Sequence, residues 1–136
     1  MGTEIIQPEG WARPRGYSNG VMSEGRVLAI GGQIGWNAQQ VFEHRDFVGQ
    51  FGQTLANIRA VIDAAGGEPE HIIKMTVYVT DLDAYRQSLG QLGPLWKEHL
   101  GRWFPAMALV GVTGLVEPDA LVEIETVAVL PNKERP

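Results

Sequence analysis

Few residues of the sequence have the chemistry and spacing of a reactive site, and two carboxylates stand out. Glu123 and Glu125 lie two residues apart in a segment that alternates as a strand does. Residues two apart on a strand share a face, so these carboxylates are expected about 7 Å apart. Exposed carboxylates are the norm, and the pattern alone favours a solvated pair. Tyr17, taken by itself, is typical of a packing residue with a wet hydroxyl.

Several other chemistries are excluded by residue type. The chain has no cysteine, which excludes thiolate nucleophiles, disulfides and cysteine metal sites. His44, His71 and His99 are far apart and have no partner at ligand spacing, so we expect surface histidines and no metal. Gly31 and Gly32 lack the spacing and the lysine of a phosphate loop, and no Ser/His/Asp arrangement is present. No cofactor is predicted.

Length and composition indicate one small domain. The 136 residues are 44% hydrophobic and 20% charged, and no linker divides them, so a single domain over residues 1–136 is expected, with its core at about 15–130. The net charge of −5 and the scattered basic residues argue against a nucleic-acid surface. The N-terminal residues lack the pattern of a signal peptide, and no apolar run approaches the ~18 residues of a membrane helix. A cytoplasmic protein is therefore expected.

Two segments have helical periodicity. The first begins at a predicted N-cap, Asp46, and ends at Gly66. The second begins after Asp81 or Asp83 and continues to about residue 100, and Pro94 is expected to kink or interrupt it.

The remaining regular segments are predicted strands. Residues 1–16 are expected to be irregular, and Glu24 with Gly25 is read as the turn of a hairpin. The predicted strands cover residues 17–22, 26–32, 72–80, 106–112 and 121–129. On the third of these, Ile73, Met75 and Val77 are expected to share the core face with Val79.

This β-β-α-β-α-β-β order predicts an α+β fold with both helices on one face of a sheet of five or six strands. The opposite face of the sheet is assigned the apolar residues Val122, Ile124, Leu109 and Ile30. Such a face would be too apolar to remain exposed to solvent. A second apolar sheet face in a small domain predicts oligomerisation.

Seven short segments together resemble the RidA (YjgF/UK114) family. They occur in the family's order and spacing, and the match extends over about residues 15–130. The segments are residues 15–21 (RGYSNGV), 31–34 (GGQI), 55–57 (LAN), 64–66 (AAG), 73–79 (IKMTVYV), 104–106 (FPA) and 122–125 (VEIE).

The resemblance implies a chorismate-mutase-like fold, in which two helices back a mixed six-stranded sheet. Three subunits would form a homotrimer with a barrel-like core, and a small-molecule ligand would bind in a pocket at each subunit interface. It also implies the hydrolysis of reactive enamines and imines, such as 2-aminoacrylate, to ketones and ammonia.

The resemblance also assigns site residues. The expected catalytic residues are Glu123, as a proton shuttle or water ligand, and Tyr17, whose hydroxyl would face the ligand. Gly31 stands where many family members have serine, and Leu89 stands where many have asparagine. Leu109 stands where the family presents a backbone carbonyl to the water molecule that attacks the substrate. The expected substrate-binding set is Tyr17, Gly31, Gly32, Gln33, Trp36, Leu89, Ala106, Met107 and Leu109.

Met107 departs from the family pattern. It occupies the position after Pro-Ala where the family has an arginine whose planar fork binds the substrate carboxylate. Arg15 or Arg102 could substitute, although a solvated charge is the more ordinary role for each. Two functions stay open: an enamine or imine deaminase whose substrate is not a short α-imino acid, and a trimer that binds a metabolite without turnover. The ribonuclease or translation-inhibitor role attached to the family is disfavoured by the acidic chain.

Overall fold

The structure is a computed structural model that describes residues 2–133. It has the predicted α+β character, with three strands before the first helix and the other two helices between the fourth and fifth strands. The strands are β1 (Glu4–Ile6), β2 (Gly20–Met22), β3 (Arg26–Ile34), β4 (Ile72–Val79), β5 (Ala106–Gly111) and β6 (Val122–Leu130), and the helices are α1 (Phe47–Ala64), α2 (Leu82–Gln87) and α3 (Leu89–Leu100).

The strands form two sheets. The larger has the order β3-β6-β4-β5, in which β5 runs parallel to β4 and the other pairs are antiparallel. β1 and β2 form a separate antiparallel pair, joined to the start of β5 through a single bridge between Ser18 and Ala106. The six strands of one chain therefore do not form the single sheet that the family resemblance implies.

The predicted hairpin around Gly25 is wrong. β2 pairs with β1, in a segment expected to be irregular, and β3 pairs with β6 instead of β2. Gly25 has φ of 147°, and a Cβ there would overlap the carbonyl of Leu130. The glycine thus permits a close approach to the end of β6.

The first helix agrees with its predicted limits. The carboxylate of Asp46 accepts a hydrogen bond of 3.0 Å from the backbone N–H of Gly49, as an N-cap does. Gly66 follows the helix with φ of 78°, a conformation that glycine adopts readily.

The second helical segment is interrupted earlier than predicted. Asp81 caps α2 by accepting hydrogen bonds from the backbone N–H groups of Asp83 and Ala84. The break occurs at Ser88, whose backbone leaves the helical range, while Pro94 lies inside α3. Pro94 is the sixth residue of α3 and has no N–H to donate to the carbonyl of Gly90, and the helix nevertheless continues to Leu100.

The core lies between the larger sheet and α1 and α3. Val122 and Ile124 are fully buried there with Ile30, and Leu109 packs against them, so their assignment to the opposite face is wrong. The prediction that Ile73 lies on the core face of β4 is also wrong. A register shift between Ile72 and Lys74 buries Ile72 instead and leaves Ile73 half-buried. We call the side of the sheet away from the helices the open face.

Candidate functional site

A cavity of about 530 Å³ lies beside α3, against the helix side of β4 and β5. Apolar and aromatic side chains form most of its wall, as is usual for small-molecule sites. Four of the predicted site residues line it, namely Tyr17, Leu89, Met107 and Leu109. The other lining residues are Arg15, Gly16, Phe51, Val77, Tyr85, Leu92, Gly93, Trp96 and Phe104.

Ser18 attaches the segment that carries Tyr17 to the start of β5. Its backbone N–H donates to the carbonyl of Pro105 at 3.0 Å, and its hydroxyl donates to the carbonyl of Phe104 at 2.5 Å. Ser18 is buried although it is polar, and these bonds satisfy it. Its neighbour Tyr17 is thereby placed beside the cavity with 43% of its surface exposed.

Two stacked aromatic rings form one wall of the cavity. Trp96 and Phe104 have ring centroids 5.8 Å apart and planes inclined by 13°. The indole N–H of Trp96 donates to the carbonyl of Trp103 at 3.0 Å, and that of Trp103 donates to the carbonyl of Ile72 at 2.7 Å. These bonds connect α3 to the sheet and hold the wall in place.

Met107 and Leu109 reach the cavity because of the β4–β5 register. Met107 lies opposite Met75 and Leu109 opposite Val77, and both β4 residues are buried in the core. Paired residues on adjacent strands share a face, so Met107 and Leu109 also face the helices.

Glu123 lies on the other side of the sheet from the cavity. In the register it is opposite Tyr78, which alternates with the core residue Val77. Its carboxylate covers Gly32, where a Cβ would overlap the carboxylate group. One chain therefore places Glu123 beside Gly32 but does not bring it to the cavity.

On the open face, Tyr78 forms a hydrogen-bonded pair with Glu125. Its hydroxyl donates a 2.6 Å hydrogen bond to the Oε1 of Glu125. This bond is the main cause of a raised pKa for Tyr78, with smaller contributions from desolvation and from the charges of Glu125 and Glu123. A tyrosine held neutral in this way can donate a hydrogen bond but is a poor base at neutral pH.

The remaining predicted site residues lie near the end of β3 or next to the cavity. Gln33 donates from Nε2 to the carbonyl of Gly31 at 3.2 Å, near the end of β3. Trp36 packs on Phe42 with ring centroids 5.8 Å apart and does not line the cavity. Ala106 lines an adjoining hollow of about 310 Å³ together with Tyr17 and Met107.

The two candidate arginines are placed differently. Arg15 lines the cavity with Tyr17 and Met107. Arg102 instead lines a neighbouring hollow of about 490 Å³ that contains Trp11 and Arg13.

Gln50 is a fully buried polar residue that the sequence interpretation missed. Its Nε2 donates to the carbonyls of His44 at 3.1 Å and Asp119 at 2.9 Å, and its Oε1 accepts from the N–H of Leu121 at 2.8 Å. It thus joins α1 to the segments before α1 and before β6. Its position in the apolar stripe of α1 beside Phe51 was the available signal.

Within residues 2–133, no three histidine, aspartate or glutamate side chains converge as metal ligands would. Over the same residues, no helix is both long and apolar enough to cross a membrane.

Comparisons with known proteins agree with the fold. The family model described as Endoribonuclease L-PSP matches residues 11–130. A RutC family protein of Pyrococcus horikoshii is 32% identical over 126 residues, which are 92% of this chain and 96% of the relative. The 2-iminobutanoate/2-iminopropanoate deaminase of Escherichia coli K12 is 33% identical over 105 residues, which are 77% of this chain and 80% of the relative. The crystal structure of YyfB, a member of the conserved Rid protein family from Yersinia pestis, covers 96% of this chain and 100% of its own with a TM-score of 0.85 and 31% identity. The chain therefore belongs to the RutC/RidA (YjgF) family.

Proposed function

We propose that this chain is an enamine or imine deaminase whose substrate is larger and less polar than the short α-imino acids. The observation that supports this most is the apolar cavity, which has Met107 in its wall and Tyr17 beside it. A thioether cannot pair with a carboxylate, so a carboxylate placed against Met107 would be desolvated without a partner. The relative named as a 2-iminobutanoate/2-iminopropanoate deaminase supports the reaction type, and Met107 argues for a different substrate.

The proposed reaction replaces a C=N bond with a C=O bond. A water molecule adds to the imine carbon while the carboxylate of Glu123 accepts one of its protons. Glu123 delivers this proton to nitrogen, which gives a carbinolamine. The carboxylate then accepts the hydroxyl proton of the carbinolamine and passes it to nitrogen as the C–N bond breaks, so that ammonia leaves and the carbonyl forms. The hydroxyl of Tyr17 would hydrogen-bond the substrate, and the backbone carbonyl of Leu109 would accept a hydrogen bond from the water.

The same proposal needs more than one copy of the chain. Glu123 and the cavity occupy opposite faces of the sheet in one chain, so the carboxylate would come from a neighbouring copy. The open face supports this arrangement, because it carries Val27 at 71% and Val110 at 43% exposure on the two edge strands. Burying such side chains between copies is favourable, and a homotrimer would give three equivalent sites.

A non-catalytic binding role is the second candidate. It is favoured by one observation, namely that no carboxylate of residues 2–133 lines the cavity of the single chain. A trimer in which Glu123 stays away from the cavity would bind an apolar metabolite and leave it unchanged.

Ammonia release tests these two candidates. The substrates are freshly generated imines of pyruvate, of branched-chain oxo acids and of phenylpyruvate, each compared with its uncatalysed hydrolysis. The deaminase proposal predicts turnover of the bulky imines and a loss of about 100-fold or more in Glu123→Gln. Glu125→Gln is the matched control, because it removes the neighbouring carboxylate of the same face and should retain activity. Binding of the bulky compounds with no ammonia release would favour the second candidate.

A further inference from the structure

One charged residue lines the cavity, and it forms no ion pair within the described part of the chain. Among the described lining residues, Arg15 is the only lysine, arginine, aspartate or glutamate. The ion pairs of residues 2–133 involve Arg45, Arg59, Arg86 and His99, so Arg15 forms none with their carboxylates. A guanidinium at the edge of an apolar cavity attracts anions more strongly than one on an open surface, since low-dielectric walls reduce screening.

The backbone around Arg15 holds this residue beside the cavity. Gly16 has φ of 76°, a conformation that favours glycine, and it turns the chain between Arg15 and Tyr17. Ser18 then fastens the segment to Phe104 and Pro105 by two hydrogen bonds. Arg15 is therefore close to an anchored point of the chain, although its side chain is exposed.

We propose that Arg15 binds the carboxylate of a ligand whose apolar body fills the cavity, and that it takes over the anchoring role that Met107 cannot perform. This inference rests on the proposed deaminase function and specifies its substrate as the imine or enamine of an aryl or branched-chain carboxylic acid. Its carboxylate lies at the cavity edge by Arg15, and its side chain packs against the aromatic wall.

The size and lining of the cavity support this class of ligand. Its volume of about 530 Å³ is typical of sites for small organic molecules and leaves much space around a three-carbon acid. The stacked pair of Trp96 and Phe104, together with Phe51, offers aromatic faces and edges to a ring or branched chain. Arginine suits the anionic end because its planar fork matches two carboxylate oxygens.

Equilibrium binding of the ketone products tests the inference without turnover. Phenylpyruvate and its methyl ester share one apolar body, and only the acid is charged. Isothermal titration calorimetry would compare both compounds with the unmodified protein and with Arg15→Gln, Arg15→Lys and Arg102→Gln. Arg102 is the matched control, because it lines the neighbouring hollow and not the cavity.

We expect Arg15→Gln to weaken phenylpyruvate binding about tenfold, which equals about 1.4 kcal/mol, and to leave the ester within about twofold. Arg15→Lys should recover part of the loss, and Arg102→Gln should have no such effect. Added salt should weaken the acid more than the ester. An unchanged affinity for the acid in Arg15→Gln, an equal loss for acid and ester, or no binding of either compound to the unmodified protein would overturn the inference. Because products are not turned over, acid binding that depends on Arg15 would stand even if no imine were hydrolysed.

Discussion

Restoring an arginine at position 107 tests how the cavity selects its substrate. Met107 is half-buried on β5, beside the core residue Met75 and in the wall of a cavity of about 530 Å³. The longer side chain of Met107→Arg therefore has room to place its guanidinium inside the cavity. We expect this variant to gain hydrolysis of the short imine 2-iminopropanoate.

The size of the gain follows from the pairing of charges. A carboxylate paired with a desolvated arginine instead of a thioether gains about 2–5 kcal/mol. Each 1.36 kcal/mol is a factor of ten, so kcat/KM should rise roughly 30-fold to several thousandfold. Arg15 lines the same cavity, and repulsion between the two cations favours the lower end of this range.

The assay is ammonia release from 2-iminopropanoate generated in the reaction mixture. It is measured for the unmodified protein, for Met107→Arg and for Met107→Leu. Met107→Leu is the control, because leucine has a similar volume and cannot bind a carboxylate. Thermal unfolding must show that Met107→Arg remains folded, since a charge placed against the core can destabilise it. A folded Met107→Arg protein with the same rate as Met107→Leu would show that the side chain at position 107 does not select against short imino acids.

Three further predictions concern stability and titration. Gln50→Leu should destabilise the protein by about 3 kcal/mol in urea unfolding, because three buried hydrogen bonds at about 1 kcal/mol each are lost; a loss below 1 kcal/mol would show that they contribute little. Thr126→Val should stabilise the protein by about 1 kcal/mol, because the buried hydroxyl of Thr126 has no partner in residues 2–133. Thr54→Val should destabilise it, because the hydroxyl of Thr54 donates to the backbone carbonyl of Gln50 at 2.8 Å. A change of the same sign in both variants would contradict this. Glu125→Gln should lower the pKa of Tyr78, seen in the tyrosinate absorbance during a pH titration. The pKa of Tyr78 is raised in the folded state, so its hydrogen bond to Glu125 stabilises the fold below about pH 10. This stabilisation is lost as the pH rises through the folded-state pKa of Tyr78.

Local elements were predictable where local signals agreed. The apolar period of α1, the cap at Asp46 and the glycine at position 66 all indicated one helix, and the structure has it. The pairing of β1 with β2 was not predictable, because it depends on contacts between segments that local patterns do not describe. Gly25 shows the difficulty: it resembles a turn residue, but it permits contact with Leu130 at the far end of the chain.

The site was predictable only in part. Tyr17, Leu89, Met107 and Leu109 were grouped by the family resemblance, and the structure places them around one cavity. The position of Glu123 on the other face required the register of three strands, which periodicity alone does not provide.

A subunit-mixing experiment shows whether two copies of the chain build one catalytic site. Glu123→Gln and Tyr17→Phe subunits would each be inactive alone on a bulky imine, and they would be unfolded and refolded together. Random assortment would give about a quarter of the interfaces an intact Tyr17 from one copy and an intact Glu123 from the other. If the site is shared between two copies, ammonia release should return to about this fraction of the unmodified rate. A mixture as inactive as its two components would contradict it.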